Sequence, residues 1–220
     1  GGTAEVIKIA GCNADETYCG IGFHYDNSDG QTHSPAFIGY QAKDFSGNTN
    51  GDLVFATRSG TSDAAPTEAM RIDSTGAITK PTQPCFLVKP SSTQSNIAIN
   101  TSTQIAFGTE IFDQGANFAS NVFTAPVTGR YQFNISLYIT GFDVSANYYA
   151  MYIQTSNRSY ELINTGSVSG TSDPTYNGFG WSCLADMDAS DTAQITIYQS
   201  GGGAQTDILS GSLFSGFLAC

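Results

Sequence analysis

His24 and His33 are the only imidazoles in the chain. A histidine oriented by a distant acid can act as a general base, but it then needs a Ser or Cys nucleophile in a recognisable setting. Neither histidine has one, so a structural or surface role is expected for both. Carboxylates offer two other chemistries. Cleavage of polysaccharide uses a carboxylate pair flanking the scissile bond. No such pair can be recognised, and at 220 residues the chain is short for such an enzyme. No catalytic residue is assigned, and the chain is read as non-enzymatic. Asp186, Asp188 and Asp191 in DMDASD cluster the oxygens that a hard cation such as calcium prefers, although the spacing is not that of an EF-hand loop. The five cysteines, Cys12, Cys19, Cys85, Cys183 and Cys220, are odd in number and irregular in spacing, a poor disulfide framework with no zinc pattern. Free thiols in a protein assembled in a reducing cytoplasm are expected, with Cys183 beside Trp181 in the core.

The elements that would position these groups are strands. The chain holds 8 basic and 19 acidic residues, a net charge of -11, which opposes binding to a nucleic-acid backbone. Charged residues make up only 12%, so this is not a highly charged disordered chain. Polarity comes instead from Ser, Thr, Asn, Gln and Gly, which with aromatics suit strands and tight turns. There is no apolar run long enough to cross a membrane as a helix. Residue 1 is Gly with no signal-like segment after it, so the chain is expected to be a piece of something longer.

A break falls at KPTQP, Lys80–Pro84, where two prolines read as a linker over 81–84. Residues 1–80 carry short strand-like runs: Val6–Ala10, Ile21–Tyr25, Ala36–Tyr40, Asp52–Thr57 and Ala69–Asp73. Their apolar content is too thin for a confident core of their own, and three copies sharing one core would be more easily stable. After the break the strands lengthen. YQFNISLYITGF alternates Tyr131, Phe133, Ile135, Leu137 and Ile139 with polar residues, the period-2 pattern of a sheet with one face buried. At least eight such runs over residues 85–220 imply a sandwich or jelly roll.

The aromatics Phe107, Phe118, Phe123, Tyr131 and Phe133, with Asp113 and Gly129 between them, resemble the signature of the globular head of complement subcomponent q, in the tumour-necrosis-factor-like superfamily. Two departures are visible. The Phe118–Phe123 gap is two residues short, and Ile135 replaces the final aromatic. SLFSGFLAC and ASDTAQITIYQ resemble that family's last two strands. The resemblance covers residues 85–220 and implies a ten-stranded jelly roll assembled as a tight trimer. NGDLVFATRSGT and EAMRIDSTGAIT resemble a segment common in bacteriophage tail fibres, where it precedes a C-terminal tip. The fold expected is therefore all-β, a jelly-roll head preceded by a β-rich trimeric fibre stem. The implied function is attachment of a virion to a host glycan or protein, acting outside the host cell and in contact with upstream fibre proteins. A secreted complement-q-like lectin or ligand is the alternative; such proteins usually carry a collagen-like Gly-X-Y segment, which this sequence lacks.

In such a head both termini sit at the base, and antiparallel strands alternate their loops between the two ends. Loops 142–147, 165–175 and 200–211 then share the far end, and loops 125–129, 156–159 and 186–191 face the stem. The far loops are open and rich in the adaptable polar groups of recognition loops. Asp143, Ser145, Asn147, Tyr148, Tyr149, Ser169, Thr171, Asp173, Tyr176, Gln205 and Asp207 are the receptor-binding candidates, with the two adjacent tyrosines able to stack on a sugar ring. No cofactor is required by this reading. Because some members of the resembled family hold calcium at the trimer apex, Asp143, Asp173 and Asp207 are a second calcium candidate. Cys85 opens the first head strand and Cys220 ends the last; the resemblance makes those strands neighbours, so the two thiols could bond.

Overall fold

The computed structural model describes residues 9, 11–24, 30, 32–164 and 172–220. They fall into two compact units that divide between Gln83 and Pro84. Every strand–strand ladder described is antiparallel, and no helix occurs among the described residues.

The N-terminal unit is one sheet in chain order: β1 (Tyr18–Phe23), β2 (Ala36–Asp44), β3 (Asn50–Thr57), β4 (Thr67–Ile72) and β5 (Ile78–Thr79). Four of the expected runs thus form strands, with shifted ends; Val6–Ala10 lies almost wholly outside the described residues. A meander of this kind needs tight turns, and the DSTG turn shows how one is made. The Asp73 carboxylate accepts hydrogen bonds from the backbone N–H groups of Thr75 and Ala77 and from the Thr75 hydroxyl. Gly76 takes the left-handed conformation, φ 93°, that lets the chain reverse. Strand β4 is tied to β3 by Arg71, whose guanidinium bridges Glu68 and Asp52. Asp52 also accepts the Ser74 N–H at 3.0 Å. This gives a physical role to the acids and arginine of NGDLVF and EAMRIDSTG.

The C-terminal unit is a two-sheet sandwich. Its strands are β6 (Cys85–Lys89), β7 (Thr103–Gln104), β8 (Thr109–Gln114), β9 (Phe118–Ala119), β10 (Val122–Thr124), β11 (Gly129–Thr140), β12 (Tyr148–Thr155), β13 (Ser159–Asn164), β14 (Tyr176–Met187), β15 (Thr192–Ser200), β16 (Asp207–Ile208) and β17 (Leu213–Leu218). One sheet runs β13-β12-β15-β10-β9 with β7 against β15; the other runs β14-β11-β17-β6-β8 with β16 against β11. Six segments in each sheet make twelve where ten were expected; β7, β9 and β16 are two-residue ladders.

The alternation along β11 works as the sequence implies: Tyr131, Phe133, Ile135, Leu137 and Ile139 are all buried. They meet Phe86, Phe107, Phe118, Phe123, Phe214 and the β12 and β15 aliphatics in one cluster. Phe86 is its hub, with ring centroids 5.1 Å from Phe118, 4.9 Å from Phe123 and 5.0 Å from Phe214. Phe112, between Phe107 and Phe118 in the chain, points outward. Cys183 packs on this core, and burial pushes its thiol up to about 11. Cys85 and Cys220 are both free, against the expected possibility of a bridge. Cys85 pairs with Phe217 across β6 and β17, whereas the Cys220 carbonyl accepts the Arg130 N–H on the β11 side. The chain end is drawn away from β6.

Close approach of β17 to the ring cluster demands a residue without a side chain. A Cβ on Gly216 would lie 2.5 Å from the Phe133 ring and 2.8 Å from the Phe86 ring. Gly216→Ala should therefore lower stability by about 1–3 kcal/mol, the usual effect of overpacking a filled core. Thermal unfolding of the two proteins side by side measures it, and an unchanged melting temperature would show that the rings can yield.

Candidate functional site

At one end of the sandwich, four segments converge: 94–100, 142–147, 172–175 and 200–207. Asp143 joins two of them. Its Oδ1 accepts the Ser145 N–H and hydroxyl, and its Oδ2 accepts the N–H groups of Gly203 and Ala204 at 2.6 and 2.8 Å. Only 3% of Asp143 is exposed. Burial pushes its carboxyl up, but the donors from Ala204, Ser145 and Gly203 outweigh it and hold the group at about 2. Behind it lies Tyr149, fully buried, stacked on Phe142 with centroids 4.3 Å apart. The Tyr149 hydroxyl accepts the Asp143 N–H at 2.9 Å and lies 2.9 Å from the Thr206 hydroxyl. Asp143 and Tyr149 therefore hold the tip together from inside and present no surface to a receptor. The reason is local: alternation along β12 sends Tyr149 inward and its neighbour Tyr148 outward.

The remaining candidates divide further. Ser145, Asn147, Tyr148, Asp173, Tyr176 and Gln205 are exposed, and Asp207 is half-buried. Several already have intramolecular duties. Asp173 accepts the Val144 N–H, Asp207 the Asn96 N–H, and the Gln205 carboxamide donates to the carbonyls of Asn96 and Ile97. Ser169 and Thr171 lie outside the described residues. Tyr176, 58% exposed and directly following the 172–175 segment, pairs with Tyr138 at 5.4 Å on the outer face of the second sheet. Tyr148, at the tip edge opposite Ser200, tilts against Tyr198 at 6.0 Å on the outer face of the first sheet. The segment 94–100 was missed in the sequence because it carries neither aromatics nor charge; its backbone supplies the fourth wall.

In both calcium candidates the carboxylates already accept hydrogen bonds within the chain, which a cation would have to displace. Both oxygens of Asp143 face N–H and O–H donors, whose positive ends would repel one. In DMDASD the Asp191 carboxylate accepts from the Asp188 N–H, the Ser156 hydroxyl and the Asn157 amide, while Asp186 pairs with Arg158 at 2.8 Å. Among the described residues no three His, Cys, Asp or Glu side chains group to ligate a metal. The DMDASD turn meets the segments 125–129 and 156–158 at the other end of the sandwich, through Asp191, Ser156, Asn157, Thr128 and Ala189. His33 Nδ1 lies 3.0 Å from the Thr32 hydroxyl, and Asp63 accepts the backbone N–H groups of both residues. That is a loop clasp.

The class these features define is a two-sheet antiparallel β-sandwich of jelly-roll type. Solved structures of that class resemble the chain. The globular domain of zebrafish complement 1qA protein matches at 16% identity and a TM-score of 0.47, over 63% of this chain and 98% of its own. Murine APRIL matches at 12% and 0.45, over 62% and 98%, and the PRD1 vertex protein P5 at 11% and 0.42, over 62% and 96%. No protein-family model matches the sequence, and no curated protein does.

Replacing Asp143 tests its role. Asp143→Asn removes the charge that four donors point at and should cost about 1–3 kcal/mol of stability at neutral pH. The folded-state value of about 2 lies below the ordinary 3.8, so this contribution is complete above about pH 4 and lost as pH falls toward 2. Melting temperatures of the two proteins should accordingly converge over that window. A constant gap would place the effect elsewhere.

Proposed function

We propose that the chain is the distal part of a bacteriophage tail fibre, a non-enzymatic adhesin that works as a homotrimer and holds a host surface glycan or protein. The observation that carries the assembly is one face of the N-terminal sheet. Cross-strand neighbours Ile21, Ile38, Phe55 and Met70 form one row across it, and Cys19, Tyr40, Leu53, Ile72 and Ile78 form the next. Among the described residues of this unit the buried apolar side chains are only Ala42, Val54 and Ala56. Ile21, Phe23, Ile38, Leu53 and Ile78 are exposed. A monomer leaving such a face in water is poorly stabilised, and a contiguous apolar face of this kind marks an interface. Copies of the same chain are the natural cover, because they bring the same face with the same register.

The sandwich offers a matching surface. On the outer face of its second sheet, Leu184, Phe217, Phe112 and Leu213 are exposed among Ser, Asn, Gln and Gly. The stem-like sequence NGDLVFATRSGT…EAMRIDSTG supports the viral setting. Three copies give avidity, so each site need not bind tightly.

Two measurements test this. Light scattering should give three times the 23.2 kDa of one chain, and Ile38→Glu, which places a charge in the apolar row, should shift the equilibrium to monomer with lower thermal stability. Labelled protein should decorate permissive host cells and block infection by the parent virus. Failure of both across permissive hosts would sink the adhesin reading.

A further inference from the structure

On the outer face of the first sheet lies a groove of about 220 Å³ lined by Ser102, Tyr152, Gln154, Ser159, Thr196 and Tyr198. Each of the six carries a hydroxyl or carboxamide and none carries a charge. The groove is built by register. Tyr152 stands opposite Thr196 on β15 and Glu161 on β13, and Gln154 stands opposite Gln194 and Ser159. Thr196 faces Gln104 of β7 on its other side. Tyr148 extends the surface beyond Tyr198, so with Tyr198 of β15 three tyrosines lie along the five residues of β12 from 148 to 152, roughly 13 Å of strand.

The polar groups are preset. The Gln104 amide donates to Gln194 Oε1 at 2.6 Å, and the Gln194 amide donates to Gln154 Oε1 at 3.2 Å. This relay orients Gln154 and leaves its NH2 able to donate. The Tyr152 hydroxyl donates to Glu161 at 2.7 Å. That bond, with partial burial, pushes the phenol up to about 12, so it stays neutral at any pH of interest. A ligand here meets ring faces beside fixed donors and acceptors, the mixture by which an orienting site recognises a small polar molecule.

We infer that this tyrosine- and glutamine-lined groove binds a neutral glycan chain, one or more uncharged pyranose rings lying along β12 and β15. The inference rests on the adhesin reading and names its ligand class and its site. The absence of charge among the lining residues disfavours an anionic sugar, as does the overall net charge of -11. An extended peptide would need an open strand edge, whereas β12 and β15 are each paired on both sides. A second copy of the chain would prefer the more apolar outer face of the other sheet. What remains is a hydroxyl-rich ligand with apolar ring faces, which tyrosines bind without loss of much side-chain freedom.

The test uses the whole chain with defined probes: neutral hexasaccharides of glucose, galactose, mannose and N-acetylglucosamine, with oligogalacturonate as the anionic comparison. Titration calorimetry should find saturable binding of at least one neutral probe and weaker binding of the anionic one. Tyr198→Ala and Gln154→Ala should each weaken that binding about tenfold or more, on the scale of one lost contact. Tyr152→Phe, which keeps the ring, should weaken it less than Tyr152→Ala, and Gln205→Ala at the tip should leave it unchanged. Melting temperatures identify any variant that is merely misfolded, and Gln154, being exposed, is the substitution least able to unfold the sheet. If no neutral probe binds, if the anionic probe binds best, or if the groove variants change the oligomeric state instead, the inference is overturned. Decoration of host cells that survives Tyr198→Ala would overturn the site while leaving the adhesin reading intact; loss of decoration by the unaltered chain would remove that reading itself.

Discussion

The sandwich depends on the approach of β17 to the aromatic cluster. Phe86 stacks on Phe118 and Phe123 from the opposite sheet and meets Phe214 edge-on, so one ring fixes the separation of the two sheets. Aromatic pairs add stabilisation beyond the area they bury, and here they form a continuous network through Phe133 and Tyr131. The network is closed at its polar end by the Tyr131 hydroxyl, which donates to the Val127 carbonyl at 2.7 Å. Gly216 is the condition for it, since any side chain there would enter the space of two rings. With that core set, both sheets can present outer faces that contribute little to folding.

Those two faces differ in chemistry. Both stand on the same alternation, one residue in and one residue out along β11, β12 and β15. On the second sheet the outward positions carry Leu184, Phe217 and Leu213. On the first they carry Tyr148, Tyr152, Tyr198, Gln154, Gln194 and Thr196. Burying aliphatic side chains against another copy is favoured by loss of water alone. Burying phenols and carboxamides requires a partner that returns their hydrogen bonds. Under the proposed function, this short-range contrast would keep assembly and recognition apart.

Much of this was legible in the sequence, and the failures share one cause. Period-2 alternation located β11 and β15, and the Gly, Asn and Asp clusters marked the turns. The spaced phenylalanines announced a packed core. Which polar residue faces solvent could not be read in the same way, because polarity at a loop does not say where its hydrogen bonds go. Asp143 looked like a ligand for a receptor or calcium, yet four donors within its own loops saturate it. Tyr149 looked like a sugar platform, yet alternation along β12 sends it into the core beside Phe142. The groove was hidden for the opposite reason. Its residues come from β12, β13 and β15 and from Ser102 just before β7, and only the sheet register makes them neighbours.

That hidden register bears on where recognition should sit. Asp143, Asp173, Asp207 and Gln205 tie the described tip segments to their own backbone. The sheet face is held differently, by strand pairing. Its amide relay and its Tyr152–Glu161 bond survive when a ligand arrives, and rigid strands hold the groups in place better than loops can. A binding surface on paired strands also tolerates changes in the loops around it. By this argument the loops shape and stabilise the end of the sandwich, and the plain-looking strand residues between them are the better-prepared surface.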